Sequence, residues 1–141
     1  MKIIVAYDGS VHSHRMLEQL LDKLVWFRGQ PPLTVLSVHL PLPYPRAVAW
    51  VGEEAVREYY DEECDAVLDQ ARPLLDAHDV LYSAEKQVGD PAMTIVEVAQ
   101  RDGYDLIVMG THGRTGLLNV VMGSVATKVL ANSKVPVLFF R

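Results

Sequence analysis

The segment Lys2–Tyr7 (KIIVAY) is short, rich in β-branched residues and apolar without interruption, and Asp105–Met109 (DLIVM) reads the same way. A strand of this kind has no polar face to turn to water, so it lies buried on both sides, as strands of a parallel sheet do. That feature constrains the fold most. Parallel neighbours cannot be joined by a hairpin. They need crossover connections, and right-handed crossovers pack helices over both faces of the sheet.

The chain supplies those crossovers. Met16, Leu17, Leu20, Leu21 and Leu24 recur at helical spacing; Ser10 or Ser13 can cap the start of that helix and Gly29 can end it. Leu33–Leu40 (LTVLSVHL) is a second strand. Pro41–Pro45 (PLPYP) reads as a loop, because alternate prolines fix φ and remove donors. Glu53–Ala77 is a long helical stretch in which Pro73 marks a kink or an end. Val80–Val88 alternates apolar with polar, as a strand near a sheet edge does. Asp90–Pro91 is an N-cap followed by proline at the first helical position; that helix carries Ile95, Val96 and Ala99 and stops at Gly103. Val135–Phe140 (VPVLFF) is the last strand. The alternation predicts an α/β fold, a doubly wound parallel sheet of five strands with helices on both faces. At 141 residues it is expected to be one domain, 1–141.

After the strand at Asp105–Met109 come Gly110, Gly113 and, nine residues on, Gly123–Ser124, with Val125, Val129 and Leu130 at helical spacing behind them. The helix is expected to start near Met122 or Gly123. Glycines let a backbone turn and approach a ligand closely, and the first helical turn offers free N–H groups at the positive end of the macrodipole. A strand, a glycine loop and a helix N-terminus make a phosphate cradle. Ser124 adds a hydroxyl, and Arg114 and Lys128 add positive charge. The plainer alternative is a strand-to-helix turn whose glycines serve tight packing.

The pattern glycine-x2-glycine-x9-glycine-Ser, here Gly110, Gly113, Gly123 and Ser124, resembles the nucleotide-binding signature of the universal stress protein family. The likeness extends to the first strand ending in Asp8-Gly9-Ser10, the chain length, the order of elements and the final VPVLFF strand. The resemblance implies strand order 3-2-1-4-5. The switch point then lies between strands one and four, where ligands of such sheets bind and where Asp8 and Gly110 converge. It further implies ATP, with Mg²⁺, as the ligand. The binding residues would be Ala6, Asp8, Val38, Gly110, Gly113, Arg114, Gly123, Ser124 and Val125, with the Val38 backbone meeting adenine. Asp8 is either a ligand group, accepting from a ribose or helping to hold Mg²⁺, or the cap of the next helix. Where family members often carry a hydroxyl residue this chain has Ala126, which removes one phosphate donor. The family implies a regulatory module of the stress response with slow or no ATP hydrolysis. The alternative class is an ATP-hydrolysing or nucleotidyl-transfer enzyme on the same fold. The transferases bring an SGG-type loop or a HIGH-type motif at the first strand end, and Tyr7-Asp8-Gly9-Ser10 is neither.

Formal charge is −5, from 13 basic and 18 acidic residues, with no basic run, which argues against a nucleic-acid partner. No apolar run approaches membrane-spanning length, and the N-terminus lacks the features of a signal peptide, so a cytoplasmic protein is expected. Cys64 is the single cysteine, so no internal disulfide forms. His12, His14, His39 and His78 show no metal spacing. His112, alone on the glycine loop, is a weak candidate for a base. Asp61, Glu62, Glu63 and Asp65 read as a solvated helix face. The last strand, apolar and at a sheet edge with nothing after Arg141 to cover it, is expected to pair with its copy in a homodimer.

Overall fold

β1 (Ile3–Ala6) is the axis of the molecule. In the computed structural model, which describes residues 1–113 and 122–141 with the side chains of Pro45 and Ala47 excepted, it lies between β2 (Leu33–His39) and β4 (Leu106–Gly110). β3 (Tyr82–Val88) and β5 (Val137–Phe140) complete a sheet of five parallel strands in the order β3-β2-β1-β4-β5. This is the order that the family resemblance implies. The helices are α1 (Val11–Asp22), α2 (Pro45–Val51), α3 (Glu53–Ala77), α4 (Pro91–Arg101) and α5 (Ser124–Asn132).

Successive side chains of a strand point to opposite faces, and both faces are covered. Ile3 and Val5 pack with Met16, Leu17 and Leu20 of α1 and Leu68, Ala71 and Leu75 of α3. Ile4, Leu36 and Ile107 pack with Ile95, Val96 and Ala99 of α4 and Val129 of α5. Ile3, Ile4 and Val5 are each 0% exposed, which accounts for the unbroken apolar run. Among the described residues no helix is long and apolar enough to cross a membrane.

Several boundaries differ from the sequence reading for local reasons. α1 ends at Asp22 and Leu24 opens a single 3-10 turn that runs to Trp26, so Gly29 stands beyond the helix rather than at its end. Ser10, not Ser13, is the cap, its hydroxyl accepting from the Ser13 N–H at 3.1 Å. Pro45 does not belong to the loop. It opens α2 at the first helical turn, where its missing N–H has no partner to lose. Pro73 sits inside α3, which continues to Ala77. β3 and β5 begin two residues later than expected, at Tyr82 and Val137.

Candidate functional site

The connections leave β1 toward β2 on one side and reach β4 on the other, so the carboxyl ends of β1 and β4 open a cleft. Its volume is about 470 Å³, within the usual range for small-ligand sites. Ala6, Asp8, Val38, Gly110, Gly113, Gly123, Ser124 and Val125 all line it. Arg114 lies outside the described residues.

The turn after β1 fixes Asp8. Gly9 has φ +74°, in the left-handed region that favours glycine. That turn brings the Ser10 N–H to Asp8 Oδ1 at 2.9 Å. Ser10, not Asp8, caps α1, and Asp8 lines the cleft with its Oδ2 beside Gly113.

The cradle glycines act through space. None of Gly110, Gly113 and Gly123 has a positive φ. A Cβ at Gly113 would stand 2.9 Å from Asp8 Oδ2, one at Gly110 would stand 3.2 Å from the His112 carbonyl oxygen, and one at Gly123 would stand 3.3 Å from the Thr111 carbonyl oxygen. The Gly123 N–H donates to that Thr111 oxygen at 2.7 Å, joining the start and end of the loop. Gly123 also occupies the N-cap position of α5, where among the described residues no side chain caps the helix. At α1 and α4 the caps are Ser10 and Asp90, which accept from Ser13 and Met93.

The cleft also has an apolar lining of Leu36, Val67, Ala92, Ile95 and Met109, and Val38 packs against the cluster that holds Leu36, Ala92, Ile95 and Met109. Sequence reading did not reach these residues as site residues, nor His39, Glu63 and Asp90, because α3, α4 and β2 meet here only in three dimensions. Lys128 also lines the cleft, 3.7 Å from Asp90 across its wall. Its spacing four residues after Ser124 was the available signal. The described charged residues lining the cleft are thus the carboxylates Asp8, Glu63 and Asp90 and the cation Lys128. His112 lies beside Thr111 Oγ1, at 3.0 Å from Nδ1, and its ring centroid is 5.5 Å from that of His12. Among the described residues no three His, Cys, Asp or Glu side chains are grouped to hold a metal ion. Cys64 is buried, and burial pushes its thiol pKa up, the reverse of what a reactive nucleophile needs.

Tyr7 is buried beneath the turn, its hydroxyl 3.1 Å from His14 Nδ1. Burial pushes its pKa above the ordinary 10.0, and the Asp8 charge pushes the same way. Below the unfolded value the phenol is protonated in both states and its contribution to stability is complete. As pH rises further the unfolded chain ionises first, and that contribution is lost. Urea unfolding between about pH 9 and about pH 11 is therefore expected to show a larger loss of stability for the native protein than for Tyr7→Phe. Equal losses would remove Tyr7 from the account.

The comparisons with known proteins agree with this architecture. A universal stress protein of Methanocaldococcus jannaschii is 33% identical over 138 residues, covering 97% of this chain and 79% of that protein. Among solved structures, universal stress protein UspA from Lactobacillus plantarum superposes with a TM-score of 0.82 at 24% identity, over 100% of this chain and 97% of that one. An Arabidopsis thaliana universal stress protein family protein with AMP bound superposes with a TM-score of 0.70 at 20% identity, over 99% and 90% of the two chains. Other structures of this fold are complexes with cAMP and with dAMP. The model of the Universal stress protein family matches residues 1–141, and with the strand order and the curated relative in agreement, this chain belongs to the universal stress protein family.

Proposed function

We propose that the cleft binds ATP together with Mg²⁺ and that the protein is a nucleotide-responsive regulatory module of the stress response. The observation that carries this reading is the first turn of α5, which no side chain caps among the described residues, opening on the same cleft as Asp8 and the end of β2. Helical N–H donors of that kind favour phosphate oxygens. The apolar lining at Val38, Ala92 and Ile95 suits a purine. The AMP, cAMP and dAMP found in neighbours of the same fold support an adenine base.

Ala6 and Val38 would flank the base and ribose, and Gly110, Gly113, Gly123, Ser124 and Val125 would cradle the phosphates, with Arg114 contributing charge. The charges favour Mg²⁺ as the companion ion. The described lining holds three carboxylates against Lys128, which already faces Asp90. A triphosphate entering such a cleft needs its own counter-cation. Mg²⁺ typically binds through one or two carboxylates plus phosphate oxygens and waters, and Asp8 is the carboxylate beside the glycine loop. Bound Mg²⁺ would neutralise phosphate charge.

Hydrolysis would also require an oriented water. Asp8 is already held by the Ser10 N–H, and His112 has a neighbour in Thr111. Turnover is therefore expected well below the enzyme median of about 10 s⁻¹. Titration calorimetry with ATP, in Mg²⁺ and in EDTA, tests the reading alongside a phosphate-release assay. The expected result is saturable ATP binding that weakens roughly tenfold, about 1.4 kcal/mol, without Mg²⁺, and phosphate release far slower than the enzyme median. No heat at millimolar ATP rejects the ligand; rapid release abolished by Asp8→Ala would make the protein an ATPase.

We also propose a homodimer paired through the outer edge of β5. The strand bonds to β4 on one side, and family resemblance favours an antiparallel copy on the other.

A further inference from the structure

β3 forms the other edge of the sheet, and among the described residues its strand partner is β2. The Gly89 N–H donates to His39 O at 2.9 Å and Leu81 O accepts from Leu33 N–H at 3.0 Å. Groups alternate along a parallel strand, so the odd-numbered residues between them face β2. The N–H and C=O groups of Tyr82, Ala84, Lys86 and Val88 therefore point outward. A lysine normally guards such an edge. Here the Lys86 ammonium is folded back onto α3, 3.2 Å from Asp61 and 3.0 Å from Asp65.

Beside this edge runs a groove of about 430 Å³ between α2, α3 and β3, with Val48, Val56, Tyr60 and Val88 among its walls. Apolar side chains stand exposed on and around α2: Trp50 is 92% exposed, Tyr44 71% and Val51 66%. Large side chains of this kind clustered on a surface signal a contact rather than a solvated face. The adjoining stretch of α3 is acidic: Glu53–Asp69 carries eight carboxylates and Arg57. Lys86 faces Asp61 and Asp65, Arg72 faces Asp69, and Glu63 lines the nucleotide cleft, so Glu53, Glu54, Glu58 and Glu62 supply its remaining negative charge.

Charge selects the occupant. A second copy placed here by two-fold symmetry would set α3 against α3, acid against acid. Nucleic acid and anionic membranes are repelled in the same way. We propose that this surface receives a basic, extended segment of a partner protein, added to β3 as a further strand. Every second side chain of an added strand falls on the groove side. Lys or Arg at those positions lays its aliphatic stem on the apolar walls, sets its charge against the α3 carboxylates and can stack on Trp50. This surface is separate from the nucleotide cleft, so the proposal stands or falls independently of the ligand assigned there.

The test is an NMR titration of the full-length protein with the synthetic peptide acetyl-Lys-Val-Lys-Thr-Lys-Val-Lys-amide. Two controls accompany it, one with Glu for each Lys and one with Pro for each Val and Thr. The proline peptide keeps the charge but cannot pair as a strand. The expected result is saturable shifts at the amides of Tyr82, Ala84, Lys86 and Val88 and at the Trp50 indole. The proline peptide should bind at least tenfold more weakly and the glutamate peptide not at all. Ala84→Pro, which removes an outward donor without touching the β2 ladder, should weaken binding tenfold or more, and so should Trp50→Ser at a fully solvated site. Equal binding of the lysine and proline peptides, shifts centred elsewhere, or no shifts at millimolar peptide would overturn the proposal.

Discussion

Gly113→Val is expected to lower ATP affinity roughly a hundredfold, about 2.8 kcal/mol, while the protein remains folded. The first added carbon would lie 2.9 Å from Asp8 Oδ2, nearer than such atoms come, so the carboxylate must move. Its other oxygen accepts from the Ser10 N–H, so the displacement disturbs that bond. The rest of the valine side chain occupies room that the phosphates would use. Gly123→Val acts at the other end of the loop. Its Cβ would stand 3.3 Å from the Thr111 oxygen, a backbone atom that must give by a few tenths of an ångström. The 2.7 Å bond from Gly123 N–H to Thr111 O would lengthen, and the rest of the valine side chain would crowd the start of α5. Calorimetric titration checks affinity, and far-UV circular dichroism checks folding. Native affinity in both folded variants would remove the loop from the site.

Phe139→Pro is expected to convert the proposed dimer to monomers. The choice of residue follows from the ladder. Ile107 N–H donates to Pro136 O and Thr111 N–H to Phe140 O, each at 2.9 Å. Alternation then turns Leu138 toward β4 and turns the N–H and C=O of Val137 and Phe139 outward. Proline at 139 removes an outward donor and an apolar side chain but leaves the β4 ladder intact. Proline at Leu138 would instead break the sheet itself. Light scattering at micromolar concentration should give twice the chain mass of 15.7 kDa for the native protein and the single mass for the variant. A monomeric native protein rejects the dimer, and a folded variant that stays dimeric places the contact elsewhere.

Much of this architecture can be read from local sequence, because the controlling interactions are local. Ile3–Val5 is buried on both faces, so its apolar run has no polar gaps. Asp90 and Pro91 carry the chemistry of a helix start within adjacent residues, and the structure places that start there. The glycine spacing is equally local. Its physical basis is less so: the sequence suggests glycines that permit a turn and a close approach to a ligand, and the structure adds that Gly110, Gly113 and Gly123 have ordinary φ and stand close to the His112 carbonyl, Asp8 and the Thr111 carbonyl. α2 is hidden because it is seven residues long, too short to display a helical period, and begins inside a proline-rich segment. The apolar lining of the cleft is hidden for another reason. Val67, Ala92, Ile95 and Met109 sit on two helices and a strand far apart in sequence, and each looks like ordinary core until the sheet brings them together. Ser10 competes with Asp8 for the role of cap, and only the left-handed backbone at Gly9 decides between them.

Adenine nucleotide binding at the β1–β4 switch point can be read residue by residue in amide NMR of the isotopically labelled native protein titrated with Mg-ATP. Saturable shifts are expected at Asp8, Val38, Gly110, Gly113 and Ser124–Val125, with the groove beside α2 undisturbed. Unchanged spectra at millimolar Mg-ATP, or shifts confined to residues outside the cleft, would contradict it.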